Sequence, residues 1–506
     1  MKRPLLTFAV LLLTMLAAAQ TVTPHRTKKM YFDPFTDWDS TRVYRQIVVL
    51  YEFNDSTFSM PDPRAYYDSV LNVPGFNKGA GPGCAADYLQ AQSNGLLHVQ
   101  FDVFGPYQIP YPAKGKSSIN YGWKERKAAT QLFFEANPDL DYLVYDWNND
   151  SVLEHIVYVH AGPSGDESGY AGFMWPNSGM NDVLIDTPDG YSIQQMSQSA
   201  EISYKDGTKR VRGIGTFLHE FMHCLGLPDV YPLADNTLFS IADEWDLMDG
   251  GNMTNIGWCP PNLTAPEKMY LHWHEPVELT SDTTITGLRP VAEGGEAYLI
   301  RHAENEYLLL ENRQQNGWDY ALPGNGLTIW YIHFDRESWL YNNTNYQGEY
   351  RIRLYTADNL SFSAWEQLVP KADRYTMPDC MRSRWMSTAA YPYRNESTGL
   401  VNDCLSATST PAIVMVEQNS AGTTRFGKSI RNIQMAPDGS VSFTLQTDPA
   451  ESLMDLPVSD VPRKILRDGM LFILREGHEY NLHCTLIRES KKAPIRTPFF
   501  YPITAA

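Results

Sequence analysis

GIGTFLHEFMHCLGLPDVY, residues 213–231, is the stretch on which the reading of this chain turns. Ile214, Phe217, Leu218, Phe221 and Leu225 recur at helical spacing and form one apolar face. Gly226 and Pro228 stop that helix. His219 and His223 stand at i and i+4, so their imidazoles project from one face about a turn apart. Two neutral imidazoles at this spacing can ligate one Zn2+. Glu220 follows the first histidine, where it can reach the attacking water without ligating the metal. The pattern continues as HExxHxxGxxD through Gly226 and Asp229. A glycine three residues after the second histidine permits a sharp turn off the helix, and that turn can bring Asp229 back as a third, oxygen ligand. Downstream, EWDLMDGG (244–251) places Met248 in a turn beneath such a site. Asp243, Glu244 and Asp246 are alternative third ligands. Two histidines merely packed on a buried helix would explain neither Glu220 nor the glycine-turn-aspartate continuation.

These residues resemble the M6, immune inhibitor A-like, family of secreted metallopeptidases. The likeness rests on HEFMHCLGLPDVY (219–231) and WDLMDGG (245–251), and extends to APEKMYLHW (265–273). EYLLLENRQQNGWDYALPGNGLTIWYIHFD (306–335) is similar to the family's downstream β region, and GCAADYLQAQSNGLLHVQFDVFGP (83–106) to its N-terminal α/β part. The resemblance spans about residues 45–450. It implies an α+β chain: a metzincin-like zinc metallopeptidase domain followed by an all-β sandwich-like domain. By resemblance His219, His223 and Asp229 bind zinc, and Glu220 is the general base for a metal-activated water. The implied activity is a secreted zinc endopeptidase acting on protein or peptide substrates. Its rivals are an exported binding or adhesion protein on a peptidase scaffold and another zinc amide hydrolase. The intact motif favours the enzyme, and no GxSxG turn supports a serine hydrolase.

Outward from the motif, QIVVLYEF (46–53) reads as a buried strand, CAADYLQAQ (84–92) as a helix and LLHVQFDVFGP (96–106) as a strand. WKERKAATQLFFEAN (123–137) reads as an amphipathic helix, and EHIVYVHAG (154–162) as another strand. Strands alternating with helices predict α/β layers over 46–275. From 276 to 448 short alternating runs with turn signals predict a β-rich domain. A linker and C-terminal hairpin, 449–506, should follow, with two strands around Glu476-Gly477. RKILRDGMLFILREGHEYNLHCTLIR (463–488) resembles the sorting tails of type IX-like secretion, although 18 residues follow Arg488.

The first residues, MKRPLLTFAVLLLTMLAAAQ, have a basic start, an apolar run and Ala17-Ala18-Ala19, the three parts of a secretory signal peptide over 1–19. An N-terminal segment, 20–45, precedes the first strand. The apolar run falls short of the roughly 20 residues that span a bilayer. No integral membrane segment is therefore expected, and the protein should be secreted or held at the cell surface. With 41 Lys+Arg against 59 Asp+Glu, net charge −18, the chain lacks the basic footprint of a nucleic-acid binder. Six cysteines in 506 residues do not make a disulfide scaffold. Cys380 and Cys404 form the nearest pair in the C-terminal half, among 15 arithmetically allowed pairings.

A second cation site is suggested by YDWNNDSVLEH (145–155). Asp146, Asn148, Asp150 and Glu154 set oxygen side chains on a tight loop, as Ca2+ requires. Ser151 occupies the position where such loops place glycine. A polar turn before a strand is the competing reading.

Overall fold

A computed structural model describes Met30 and residues 33–448, except 80, 116–120, 169–171, 204–207, 234–239, 347, 369–374, 377–381, 384 and 397, together with four short strands between 463 and 488. The expected signal peptide, Cys380 and Cys484 lie outside the described residues, so neither export nor the Cys380–Cys404 pairing is addressed.

β1 (Val43–Glu52) is the axis of the first sheet. Ile47 through Tyr51 are fully buried, because helices cover both faces of a parallel sheet. α1 (Pro63–Asn72) starts at Asp62, whose carboxylate accepts from Ala65 N. α2 (Ala85–Gln92) starts in a capping box between Cys84 and Asp87. β2 (His98–Gln108) pairs parallel with one edge of β1. α3 (Trp123–Ala136) follows, then β3 (Val152–Leu153) and β4 (Ile156–Pro163), which pairs parallel with the other edge of β1. β5 (Asn177–Asp186), β6 (Ser192–Ser203) and β7 (Arg210–Val211) complete seven strands in the order β2-β1-β4-β6-β3, with β5 and β7 antiparallel to β6.

The strand β6, SIQQMSQSAEIS, was not expected from sequence. Its Ser, Gln and Glu side chains give no apolar period, yet Ser197, Gln198, Ser199, Glu201 and Ser203 are buried. Burial at such positions calls for partners, and the fold supplies them for Gln198 and Glu201. Tyr51 OH donates to Gln198 at 2.8 Å, while Ser59 N and Gly162 N donate to Glu201 at 2.6 and 2.9 Å.

α4 (Gly215–Cys224) carries the motif and is buried along its whole length. Its apolar stripe packs where the periodicity places it. Phe217 and Phe221 meet Phe101 of β2 edge-to-face at 5.4 and 5.6 Å, and Phe221 meets His155 at 4.8 Å. Gly215 admits the segment 250–257 against the helix start. A Cβ there would lie 2.0 Å from the Asn252 carbonyl oxygen.

α5 (Ala265–Tyr270) leads into the β-rich region, with β8 (Val277–Glu278), β9 (Thr283–Leu288), β10 (Tyr298–Arg301), β11 (Glu306–Arg313), β12 (Gly326–His333), β13 (Ile352–Leu354), β14 (Lys428–Met435) and β15 (Val441–Thr447). Five strands form one sheet, β13-β12-β11-β10-β8, and three form another, β14-β15-β9. Leu308, Leu310 and Ile329 on one face of the larger sheet join Ile430, Phe443 and Leu445 in a shared core. Leu309, Trp330 and Ile332 on the opposite face join the core around α4, with Leu247 and Met248. Buried on both faces, β11 shows no polar alternation. The apolar core is thus continuous across position 275.

The described residues up to Thr447 form one compact unit and those from Asp448 a second. In the second, Arg463–Arg467, Met470–Arg475, His478–Tyr480 and Leu486–Arg488 make a four-stranded antiparallel sheet rather than two strands. Arg467 pairs with Met470 across Asp468-Gly469, a dipeptide that is itself a hairpin signal. No helix among the described residues is long and apolar enough to cross a membrane.

Candidate metal centre

The segment that carries His219, His223 and Asp229 is built from α4 and the turn that ends it. Gly226 adopts φ +104°, a backbone state costly for any residue with a Cβ. Its N–H and that of Leu227 close back on the carbonyls of His223 and Met222 at 3.0 and 3.1 Å. The chain then doubles back and delivers Asp229 to the face carrying both histidines.

The Asp229 Oδ1 atom lies 3.4 Å from His219 Nε2 and 3.1 Å from His223 Nε2. The imidazole centroids are 4.7 Å apart and nearly perpendicular, at 80°. His219 Nδ1 donates to the Leu247 carbonyl at 2.9 Å, and His223 Nδ1 to the Leu227 carbonyl at 2.7 Å. A carbonyl can only accept, so each neutral ring carries its proton on Nδ1 and turns the lone pair of Nε2 inward. Such outer contacts orient metal-ligating imidazoles. All three residues are buried, and no hydrogen bond closes on Asp229 Oδ1. A buried carboxylate oxygen between two imidazole nitrogens needs either a proton on a ring or a cation beside it, so this donor set fits a divalent cation.

Among the described residues, His219, His223 and Asp229 are the cluster of three His, Cys, Asp or Glu donors within 4.8 Å. The sequence alternatives for the third member are not part of it. Asp246 Oδ1 accepts from Met248 N at 2.7 Å, closing the expected turn, and its carboxyl interacts with Glu267. Met248 is fully buried, and its carbonyl accepts from Val230 N at 2.9 Å. The 246–248 turn therefore braces both the His219 ring, through Leu247, and the Asp229 loop.

The chain is similar to a metalloprotease. The match is the pre-pro-metalloprotease PrtV of Vibrio cholerae serotype O1, in strain M66-2 and in strain ATCC 39315 / El Tor Inaba N16961. Each is 24% identical over an alignment of 262 positions that covers 45% of this chain and 27% of the relative. The chain thus spans about a quarter of the length of the curated relatives it matches. No family model matches it.

Charge at the site is strongly coupled. Burial opposes a proton on His219, but the adjacent Asp229 and Glu220 carboxylates outweigh it and its pKa rises to about 9. Burial lifts Glu220 to about 8, with His219 opposing. Burial would raise Asp229 too, but the His223 and His219 rings reverse the sign and hold it well below the usual carboxylate range. Arg212 also lowers Glu220. It sits in a buried ion pair with Asp166 at 3.2 Å and donates to Thr216, in the first turn of α4, at 2.9 Å.

At the second predicted site, the carboxylates serve the loop itself. Asp146 accepts from Asp150 N and Ser151 N at 3.2 and 2.8 Å, Asp150 from Val152 N at 2.8 Å, and Glu154 from Trp147 N at 2.9 Å. Asp150 N also donates to Asn148 Oδ1 at 3.0 Å. Ser151 has φ +67°, the conformation glycine would hold there. Glu154 Oε1 is buried without a partner, and burial raises that carboxyl to about 8.

Sequence reasoning missed the partners that hold the triad. Leu227 and Leu247 act through main-chain carbonyls, which leave no residue-type signal. Asn342, which hydrogen-bonds Asp229, lies 113 residues away in sequence. His155 and His160 stand outside the cluster. Both are buried, and burial lowers them to about 3 and about 4.

Proposed function

We propose that this chain is a secreted zinc-dependent endopeptidase of the M6, immune inhibitor A-like kind, hydrolysing protein or peptide substrates. The observation that carries the proposal is the convergence of two inward-facing imidazole Nε2 atoms on a buried, otherwise unsatisfied Asp229 oxygen. Similarity to a Vibrio metalloprotease supports the same chemistry. His219, His223 and Asp229 would hold zinc. Bound there, zinc supplies Lewis acidity to the scissile carbonyl and lowers the pKa of water towards about 7.

Glu220 follows His219 on α4 and lies within charge–charge reach of the triad. It would accept the proton of the attacking water and return it to the leaving amine. Burial favours its protonated form, and a divalent cation nearby restores the carboxylate that a base needs. No side-chain nucleophile is required. Ca2+ at Asp146, Asn148, Asp150 and Glu154 is a secondary proposal, supported by the left-handed Ser151 and the unpartnered Glu154 oxygen.

Glu220→Gln tests the mechanism. It should retain zinc while losing about 10²- to 10⁴-fold in kcat on a denatured protein substrate, the usual worth of a general base. Near-normal cleavage with full zinc would remove Glu220 from the reaction.

A further inference from the structure

Asp229 is held from outside its own domain half. Asn342 Nδ2 donates to Asp229 Oδ2 at 2.6 Å, and Asn342 Oδ1 accepts from Asp229 N at 2.8 Å. One amide thus binds both the main chain and the side chain of the same residue. Only one orientation of the amide satisfies both bonds, since the main-chain N–H must meet an acceptor and the carboxylate must meet a donor. Asn342 is 1% exposed and has φ +55°, a state asparagine tolerates better than other residues with a Cβ. It follows the short helix Arg336–Leu340, and its N–H closes on Trp339 O at 3.1 Å. Two neighbours bond only the main chain of the same loop. Thr344 Oγ1 donates to Asp229 O at 2.8 Å, and Asn345 Nδ2 to Val230 O at 2.7 Å.

We propose that Asn342 is the positioning residue of the metal centre. The proposal rests on the zinc reading above. With Oδ2 bound to the amide, Asp229 offers Oδ1 alone to the face lined by the two histidines. The bond to Asp229 N fixes the carboxylate relative to its own backbone, so the third donor is in place before a cation arrives. The β-rich region is then part of the metal site through Asn342. Outer contacts to a ligand are typically worth 10- to 100-fold in metal affinity.

The test compares wild type, Asn342→Ala, Asn342→Asp and Thr344→Val as full chains. Zinc affinity is measured by competition with a chromophoric chelator, and the thermal midpoint is measured after metal removal. Asn342→Ala should weaken zinc binding 10- to 100-fold. Asn342→Asp keeps size and shape but sets a carboxylate against Asp229 Oδ2, and should weaken binding at least as much. Thr344→Val removes only a main-chain contact, and should lower the metal-free midpoint with zinc affinity within about twofold of wild type. Zinc binding by both Asn342 variants as tight as wild type, with only the midpoint reduced, would overturn the positioning role and leave the zinc reading standing. A wild-type chain that binds no zinc would overturn the zinc reading itself.

Discussion

Replacing Arg212 with Met would strip the cation from a buried pair that braces the start of α4. The Arg212 and Asp166 side chains are 3% and 12% exposed, and both guanidinium Nη atoms lie near the carboxylate, with Nη2 3.2 Å from Oδ1. Nη1 also donates to Thr216 Oγ1 at 2.9 Å. Burial would raise Asp166, but Arg212 overcomes it and holds the carboxyl below its ordinary value. Arg212→Met therefore leaves a buried charge or forces Asp166 to take a proton. Breaking such a pair costs about 3–5 kcal/mol. Adding Asp166→Leu removes the orphaned carboxylate, and an apolar pair of similar volume is often neutral or better. The double variant should thus recover most of the loss and lie within about 2 kcal/mol of wild type. Urea unfolding followed by tryptophan fluorescence, at fixed protein and zinc concentration, gives the three free energies. A loss below about 1 kcal/mol in the single variant, the range of an exposed pair, would refute the reasoning. A double variant no more stable than the single would do so too. Arg212 also lowers the Glu220 carboxyl, so the acidic limb of the activity profile should move to higher pH in Arg212→Met.

Two more outcomes are expected. The metal-free protein should lose stability as pH rises from about 6.5 to 9. His219 is raised to about 9 and Glu220 to about 8. Each folded-state pKa lies above its unfolded value, so each contribution is complete below the unfolded pKa and disappears as pH climbs through the folded one. Thermal midpoints of chelator-treated protein at pH 6.5, 7.5 and 9 check this, and a flat or rising series contradicts it. Added Ca2+ should raise the wild-type midpoint, by the equivalent of about 2.7 kcal/mol at a hundredfold excess over Kd. Glu154→Gln should abolish that increment. Wild type unmoved by Ca2+ would remove the loop 146–154 from consideration as a cation site.

The parts of the fold legible in sequence are those where a side-chain pattern is the cause of the structure. The apolar run 46–53 becomes the central strand β1, since a strand covered on both faces must be apolar on both. The spacing of Phe217, Leu218 and Phe221 becomes the buried face of α4. Strand β6 was illegible because its stability comes from partners such as Tyr51 and Ser59, far away in sequence. In the C-terminal region the Glu476-Gly477 signal predicts two strands, whereas four short strands pair there.

The candidate metal centre divides in the same way. Local geometry is enough to put His219 and His223 on one helical face, to place Glu220 beside them, and to let Gly226 turn the chain towards Asp229. Those relations follow from helical spacing and backbone sterics over eleven residues, 219–229, and need no knowledge of the rest of the chain. Spacing left Asp229, Asp243, Glu244 and Asp246 all open as the third donor. The tertiary structure brings Asp229 to the two histidines, with its loop braced against the 246–248 turn and Asn342 on its carboxylate. A hydrogen bond between residues 113 apart depends on how two sheets and a helix pack, and one-dimensional spacing carries no record of that packing.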